Sequence, residues 1–527
     1  MGKIYLLDCT LRDGGYINDW QFGEEAIKGI GRKIAQSGIE MFEVGFIKGK
    51  KYSKDRSVFP DLDCIKPFIT PKDPSLMYVG MLDMSAPVPL EKLSPYDGEG
   101  LDALRVIFKK SKLEEAIEYC KGVQKLGYKL FVQFVGTDNY SDIEFVNAVE
   151  RFNSLDPYAV SIVDSFGLIK RKHFLRLVYL ADHNLKDSII LGYHAHNNLQ
   201  QAFGNAEALV EMNLKRNICV DVSVFGMGRG AGNLNAELFA EYLNENYNTC
   251  YRIEPILEIM DEYLQEIYNT KFWGYSWPLY LSATLGCHPN YAIYLAEKDS
   301  LTVKSFNELL KSIPDDKKAS FSKENAEQYY YEYQKNFIDD KESLDELAEE
   351  FKNFDILILA PGKSICEDEE KIQKYISEKN PIIISVNFIS DHYKTDYVFS
   401  SNIRRYVKIE NQSDVKKIIT SNVKEAEVFD YKLNFASYSS EYPDIVDNSG
   451  VMLLHVLLAL DTKEVTIAGM DGYTDNLRSN YFDSGLDYDF SNEAEKRNYY
   501  ISKEIEKINK KMKLNFITNS LYKIGQD

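Results

Sequence analysis

The feature that most constrains the fold is an alternation of short apolar segments with amphipathic helical stretches over roughly the first 244 residues. Apolar strands separated by helices indicate parallel pairing with both faces of the sheet covered. Eight repeats in this length predict a closed (β/α)₈ TIM barrel, whose functional groups lie at the carboxyl ends of the strands. The predicted strands are residues 4–9, 41–46, 77–82, 104–108, 129–134, 159–164, 189–194 and 218–224.

The remaining sequence predicts two further parts, because 527 residues exceed one ordinary core. Residues 251–350 are charged and carry helical patterns at 253–268 and 301–310, which indicates a helical extension. Residues 351–527 return to strand–turn–helix order, which predicts a doubly wound, Rossmann-like α/β domain after a barrel of residues 1–250. The strand candidates of that domain are residues 354–360, 381–386, 463–469 and 514–517.

The amino-acid composition limits the binding partners and the cellular location that we expect. With 62 Lys and Arg against 81 Asp and Glu, the net charge of −19 argues against nonspecific binding to nucleic acid or anionic membranes. Seven cysteines without a C-x-x-C pair indicate reduced thiols rather than a disulfide framework. The most apolar stretch, residues 452–460, is too short to span a bilayer, and the chain starts directly with a strand pattern. We therefore expect a cytoplasmic protein without membrane insertion.

Groups that suit a divalent metal follow the predicted barrel strands. Asp13 follows the first strand, whereas His194 and His196 end the seventh, where alternate residues face the same side. Asn233 can add an amide oxygen after the eighth strand. This mixture of oxygen and nitrogen donors favours Mn²⁺ or Mg²⁺, with Zn²⁺ or Co²⁺ as alternatives. Arg12 can hold developing negative charge beside the ion. Each feature alone also fits packing or an ion pair, but their joint placement favours function.

Five motifs occur in order along the first 290 or so residues: TLRDG (10–14), EVG (43–45), DSFG (164–167), HAHNN (194–198) and GAGN (230–233). On these motifs the region resembles the metal-dependent aldolase and lyase superfamily. That superfamily includes 4-hydroxy-2-oxovalerate aldolase, hydroxymethylglutaryl-CoA lyase and isopropylmalate synthase. The resemblance implies that Asp13, His194 and His196 bind the metal, with Asn233 as a further ligand. It also implies that Arg12 stabilises an enolate.

At the position expected to carry the acid/base residue, this chain differs from the family it resembles. The oxovalerate aldolases carry a histidine three residues after the metal aspartate, whereas this chain has Tyr16. A phenol, with an ordinary pKa of about 10, needs a cation or metal nearby to act as a base at neutral pH. Tyr16 beside Arg12 is our first candidate for the acid/base, and His288 is its rival. Packing at the barrel mouth is the alternative role of either residue.

Three segments of the last domain can present polar groups to a nucleotide. Residues 360–364 follow a predicted strand, residues 385–388 end the next strand, and residues 448–450 precede an apolar helix. The glycine spacing of a P-loop is absent, so spacing alone favours ordinary α/β turns over a phosphate site.

The stretch of residues 448–473 carries a second resemblance. From about Phe354 onward the chain resembles the bacterial sialyltransferase family, whose members use CMP-activated sugars. Those transferases place a general-base histidine before the last long helix, but residues 489–494 contain none. We therefore expect a domain that binds a nucleotide-sugar without transferring it, and a buried, satisfied His455. The resemblance implies that CMP or a CMP-sugar is bound by Gly362, Ser364, Asn387, Ser449 and Gly450.

The sequence thus predicts a divalent-metal-dependent aldolase that forms or cleaves a carbon–carbon bond through a pyruvate-type enolate. Its substrates would be a 2-oxo acid and an aldehyde. The sialyltransferase-like domain associates it with bacterial surface-polysaccharide or unusual-sugar biosynthesis. Two alternatives stay open, a Claisen-type condensation with an acyl-CoA, and a nucleotide-sugar-binding or glycosyltransferase protein that uses the barrel as a scaffold. The helical extension suggests a homodimer.

Overall fold

A computed structural model describes residues 2–49, 51–476, 479–487 and 493–523. The chain forms two compact units, residues 1–290 and residues 291–527. The division into three parts, with boundaries near residues 250 and 350, stays a prediction.

Unit 1 is built around a closed parallel barrel. Its strands are β1 (Ile4–Asp8), β2 (Met41–Ile47), β3 (Val58–Phe59), β4 (Met77–Asp83), β5 (Ala103–Lys109), β6 (Lys129–Val135), β7 (Ala159–Asp164), β8 (Ile190–Ala195) and β9 (Ile218–Val222). Strand β1 pairs with both β9 and β2, which closes the ring, and the short β3 adds outside β2. The predicted barrel is confirmed, and each predicted strand is present with its ends shifted by at most about two residues.

Helices follow the barrel strands and continue beyond the last of them. They are α1 (Thr10–Asp13), α2 (Gly15–Asn18), α3 (Glu24–Ser37), α4 (Lys66–Ile69), α5 (Leu113–Lys125), α6 (Asp142–Asn153), α7 (Arg171–Asn184), α8 (Ala202–Glu211), α9 (Ala236–Tyr247), α10 (Ile253–Ile259), α11 (Gln265–Thr270), α12 (Trp277–Thr284) and α13 (Pro289–Glu297). Helix α6 shows how the sequence fixes a helix start, because Ser141 and Glu144 form a capping box. A π-helical turn, Met260–Leu264, joins α10 to α11.

The barrel interior has an apolar layer with a polar layer above it. The apolar layer is one buried cluster of inward side chains, namely Leu7, Cys9, Met41, Val79, Ala103, Phe131, Ala159, Ile190 and Cys219. Two residues further along six of these strands, on the same face, stand Glu43, Arg105, Gln133, Ser161, Gly192 and Asp221. The five side chains of this second layer are buried polar or charged groups. They lie nearer the carboxyl ends of the strands, where a barrel of this type carries its site.

Strain at Gly192 tests this layered packing. A Cβ atom at Gly192 would lie 2.1 Å from the Ser161 Oγ, so Gly192→Ala should lower the free energy of unfolding by about 1–3 kcal/mol. Gly204→Ala is the matched control, because nothing lies within 4 Å of its Cβ position in α8 and alanine favours a helix by about 1 kcal/mol. The three tryptophans, Trp20, Trp273 and Trp277, all belong to unit 1. Urea unfolding followed by tryptophan fluorescence therefore reports this unit, and equal midpoints for the two variants would refute the packing argument.

Unit 2 contains an all-parallel sheet. Its strands are β10 (Ile356–Leu359), β11 (Ile382–Val386), β12 (Tyr397–Ser400), β13 (Lys416–Thr420), β14 (Tyr431–Leu433), β15 (Glu464–Ala468) and β16 (Lys513–Phe516). Their order is β14-β13-β12-β11-β10-β15-β16. The chain therefore winds outward from β10 to one edge and then resumes on the other side of β10, which creates a topological switch point between β10 and β15. The parallel sheet agrees with the predicted doubly wound domain.

The helices of unit 2 begin ahead of the sheet and then alternate with its strands. They are α14 (Val303–Ser312), α15 (Asp315–Lys318), α16 (Lys323–Gln334), α17 (Lys341–Phe351), α18 (Ser364–Glu367), α19 (Glu369–Lys379), α20 (Ile403–Ile409), α21 (Phe435–Tyr438), α22 (Ser449–Ala459) and α23 (Ala494–Asn509). Residues 489–492, where the missing histidine was sought, lie outside the described residues. Among the described helices of both units, none combines the length and apolar character that a membrane crossing requires.

Candidate active site

Three predicted metal ligands come together at the carboxyl end of the barrel. Asp13 ends α1, directly after β1, while His194 lies in β8 and His196 just beyond it. The Asp13 Oδ2 lies 3.1 Å from His196 Nε2 and 3.9 Å from His194 Nε2. All three side chains are buried, and one donor atom from each lies within 4.8 Å of the others.

The hydrogen bonds of the two histidines determine which nitrogen keeps a lone pair. His196 Nδ1 lies 3.1 Å from the Asp164 carbonyl oxygen, and His194 Nδ1 lies 2.9 Å from the Asp221 carboxylate. Both partners are acceptors, so each Nδ1 carries a proton, and a ring that binds a metal would do so through the lone pair on its Nε2. In that state, two Nε2 lone pairs and one carboxylate oxygen converge without a proton between them. Such an arrangement repels itself unless a cation is bound.

Unpartnered atoms also fit a metal. In the described part of the chain, the buried His196 Nε2 and Asn233 Oδ1 lack a hydrogen-bond partner. A buried polar atom left in this state costs about 1–3 kcal/mol. Asn233 Nδ2 donates to Asp13 Oδ2 over 2.6 Å, which places the predicted fourth ligand beside the other three. The donor set of carboxylate, imidazole and amide groups therefore suits a divalent ion.

A chain of buried charges connects Arg12 to His194. Arg12 Nε donates to Glu43 Oε2 over 2.8 Å, and the same oxygen lies 3.2 Å from Arg105 Nη1. Arg105 Nη2 donates in turn to Asp221 Oδ2, which also accepts the His194 Nδ1–H. Sequence reasoning missed Arg105 and Asp221, although charged residues inside apolar strands were a visible signal. These residues orient the guanidinium of Arg12 and the imidazole of His194 in the candidate site.

Electrostatics set the protonation states that metal binding requires. Burial by itself would raise the pKa of Asp13, but the charge of Arg12 outweighs it and holds that pKa well below its ordinary value. Burial would also raise the pKa of Asp221, and Arg105 reverses the shift. Burial lowers the pKa of His194. The carboxylates are therefore ionised and the imidazole is neutral at neutral pH, which is the state of a ligand set.

The two acid/base candidates both keep a proton. Burial raises the pKa of Tyr16 although Arg229 lies with its guanidinium carbon 4.0 Å from the ring centre. Burial and the charge of Arg229 lower the pKa of His288 to about 3. The Asn290 N–H donates to His288 Nδ1 over 3.1 Å, so the ring proton sits on Nε2. At neutral pH, Tyr16 is therefore a protonated phenol and His288 a neutral imidazole, and their acid/base roles stay a prediction.

Four of the five residues predicted to bind a nucleotide line one cavity of unit 2, and the fifth does not. Gly362, Asn387, Ser449 and Gly450 line a cavity of about 120 Å³ that follows the carboxyl ends of β10, β11 and β15. Ser364 does not line it, because its N–H donates to Asp471 Oδ2 over 2.9 Å and its hydroxyl donates to Thr518. The cavity therefore lies at the topological switch point, where open α/β sheets bind ligands.

A buried lysine adds positive charge to this cavity. Lys298 is 8% exposed and lines the cavity, with its Nζ 5.0 Å from the centre of the Tyr294 ring. No carboxylate of the described residues pairs with it. Lysine is rarely buried without a partner. Sequence reasoning missed Lys298 because it precedes the region with the family resemblance.

His455 is a satisfied histidine, as expected, but it is half-buried and not buried. Its Nδ1 lies 2.8 Å from the Tyr438 carbonyl oxygen, and its Nε2 lies 3.0 Å from Glu504 Oε2. Both ring nitrogens are thus occupied within unit 2.

A family model, curated relatives and solved structures match the barrel region. Residues 106–261 match the model of the HMGL-like family. The 4-hydroxy-2-oxovalerate aldolase of Carboxydothermus hydrogenoformans is 26% identical over 265 residues, which cover 49% of this chain and 76% of that protein. The enzyme of the same name from Pseudoalteromonas translucida is 23% identical over 289 residues, which cover 52% and 82%. The crystal structure of the HMG-CoA lyase from Brucella melitensis aligns with a TM-score of 0.40 at 17% identity, covering 49% of this chain and 96% of that one.

Asp221 provides a test of the charge chain. Asp221→Asn keeps the shape but removes the charge that holds His194, so the affinity for Mn²⁺ should fall about 10- to 100-fold. Asp142→Asn, an exposed change in α6, is the matched control and should leave the affinity unaltered. Calorimetric titration of the metal-stripped full chain measures both. An unchanged dissociation constant in a folded Asp221→Asn protein would show that Asp221 does not support the ligand.

Proposed function

We propose that residues 1–290 form a divalent-metal-dependent aldolase that acts through a pyruvate-type enolate. The observation that carries the proposal is the convergence of the Asp13 carboxylate with the Nε2 lone pairs of His194 and His196, beside the guanidinium of Arg12. The HMGL-like match and the aldolase relatives support the same class of reaction.

The residues divide into a binding set and a reacting set. Asp13, His194 and His196 would hold the ion, with the Asn233 Oδ1 as a further donor. When bound, a divalent metal supplies Lewis acidity to the carbonyl and carboxylate oxygens of a 2-oxo acid. Among Mn²⁺, Mg²⁺, Zn²⁺ and Co²⁺, this donor set favours Mn²⁺ or Mg²⁺.

Arg12 stabilises the charge that develops on the enolate oxygen. Its Nε is held by Glu43 and one Nη by Asp13, so the guanidinium is fixed before the substrate arrives. A donor fixed in advance needs no reorganisation in the transition state, which is what makes such stabilisation effective. In the bond-forming direction, Tyr16 donates its proton to the aldehyde oxygen, and the Nε2–H of His288 is the alternative donor.

Proton exchange on pyruvate tests this proposal without knowledge of the aldehyde. Metal-stripped full-length protein is incubated with pyruvate in D₂O, Mn²⁺ is added, and loss of the methyl proton signal is followed. We expect exchange only with metal. Arg12→Ala should slow it at least about 100-fold while the bound Mn²⁺ stays nearly constant. The exposed Arg171→Ala serves as the charge-matched control.

Other results would point elsewhere. Loss of Mn²⁺ from Arg12→Ala would make Arg12 a structural residue. Absence of metal-dependent exchange, together with release of CoA from acetyl-CoA and a 2-oxo acid, would replace the aldolase by the Claisen-type alternative.

A second candidate function concerns unit 2. We propose that the switch-point cavity binds CMP or a CMP-sugar, and that the protein serves bacterial surface-polysaccharide or unusual-sugar biosynthesis. The specific observation is Lys298, a buried cation that shares the cavity with Ser449 at the first turn of α22. A helix start and a desolvated ammonium both favour a phosphate group.

Titration with CMP tests this second candidate. Calorimetry on the full chain should show binding of CMP that weakens roughly 10-fold or more in Lys298→Met, because a charge-assisted contact is lost. Lys374→Met, an exposed change in α19, should not alter it. Equal CMP affinity in all three proteins would remove Lys298 from the site, and absence of binding to the wild type would end the nucleotide proposal.

A further inference from the structure

Arg229 is a cation at the mouth of the barrel, and no carboxylate of the described residues pairs with it. It lies in the loop after β9, between Gly228 and Gly230, and is partly buried. Its guanidinium faces the Tyr16 ring, an interaction that uses the charge but not the five N–H donors. Across the described ranges, no carboxylate lies within 4.0 Å of Arg229 and no acceptor takes its hydrogen bonds.

The two other arginines near the site differ in this respect. Arg12 pairs with Glu43 and Asp13, and Arg105 pairs with Glu43 and Asp221. Their charges are compensated inside the protein, whereas the charge of Arg229 is available to a ligand.

The loop that carries Arg229 is fixed to the metal-ligand elements. Gly230 has φ +67°, and its Cβ position would lie 2.8 Å from the Asn198 Oδ1, so only glycine fits there. The Ala231 N–H donates to that same Oδ1 over 2.8 Å. The loop continues directly into Asn233, which hydrogen-bonds to Asp13. Arg229 is therefore held at a set position relative to the reacting groups.

A second cation, Lys109, acts on the same histidine as Arg229. The charge of Arg229 opposes protonation of His288, and so does that of Lys109 at the end of β5. Lys109 is exposed, and it too lacks a carboxylate partner among the described residues. A chain of net charge −19 thus presents uncompensated cations at its barrel mouth. Such a patch attracts an anionic ligand and repels a cationic one.

We propose that Arg229 binds an anionic group, a carboxylate or a phosphate, at the far end of the aldehyde partner. This inference rests on the aldolase function proposed above and names its substrate class as anionic aldehydes. In the reaction, carbon 3 of pyruvate bonds to the aldehyde carbon, a methyl proton leaves, and the aldehyde oxygen gains a proton. No further reactant is needed. The planar guanidinium fork matches either anion with two hydrogen bonds.

Cleavage of three 4-hydroxy-2-oxo acids tests the substrate class. They end in a methyl group (4-hydroxy-2-oxovalerate), a carboxylate (4-hydroxy-2-oxoglutarate) or a phosphate (2-oxo-3-deoxy-6-phosphogluconate). With the Mn²⁺-loaded full chain, kcat/KM for one anionic substrate should exceed that of the methyl substrate by about 10- to 100-fold. The better anion identifies carboxylate or phosphate.

Variants assign that preference to Arg229. Arg229→Gln should bring the anionic-to-neutral ratio near one, chiefly through KM, and Arg229→Lys should restore part of it. Arg171→Ala, on the outside of the barrel, should leave the ratio unchanged. If Arg229 only packs on Tyr16, its loss should lower kcat/KM equally for all three substrates. An unchanged ratio in Arg229→Gln would overturn the proposal.

A binding measurement tests this inference independently of the aldolase proposal. The probes 2-oxoglutarate and 2-oxovalerate lack the 4-hydroxyl group, are not cleaved, and differ only in the terminal carboxylate. Calorimetry with the Mn²⁺-loaded protein should show a preference for 2-oxoglutarate that disappears in Arg229→Gln. If no substrate is cleaved and pyruvate exchange is absent, the aldolase proposal fails, and this affinity ratio still decides whether Arg229 binds anions. Equal affinities in the wild type would contradict an anion subsite for the carboxylate, leaving the phosphate substrate to confirm or exclude it.

Discussion

The ion pairs of Arg105 with Glu43 and Asp221 are the interaction on which the barrel site depends. Each group lies inside the barrel, where an unpaired charge costs several kcal/mol. Pairing offsets that cost only while every member is present, so the set behaves as one unit. Arg12 and His194 attach to its two ends. The energetics of the core therefore fix the positions of two groups of the candidate site.

Packing beneath and beside these buried charges gives them a single geometry. The apolar layer that includes Phe131 closes the barrel below the charges and excludes water. Gly192 leaves room for the Ser161 hydroxyl, which accepts a hydrogen bond from Gln133 over 2.8 Å. A low-dielectric surrounding strengthens satisfied polar contacts and penalises unsatisfied ones. Stability and site geometry thus have the same physical source, and a change in the polar layer affects both.

The sequence was informative where a single segment carries the signal. Periodicity located the eight barrel strands, and the spacing of His194 and His196 placed two imidazoles on one face. The pairing of Arg105 with Asp221 was invisible, because it joins strands 116 residues apart in the chain. Sequence reasoning missed strands β12–β14, which mix polar with apolar residues, as in Lys416–Thr420. The proton kept by Tyr16 depends on burial, which the printed residues do not disclose.

The polar site of each unit includes a cation that no carboxylate of the described residues neutralises, Arg229 in unit 1 and Lys298 in unit 2. A partly or fully desolvated cation without a counterion raises the free energy of the ligand-free protein. An anionic ligand relieves that cost when it binds, so part of its affinity comes from the relief and not from new contact area. Because the chain as a whole is strongly acidic, long-range attraction toward anions is weak, and selection must occur at short range. An uncompensated cation, partly buried in unit 1 and buried in unit 2, is therefore the feature that the two otherwise different folds share, and both anion-binding proposals depend on it.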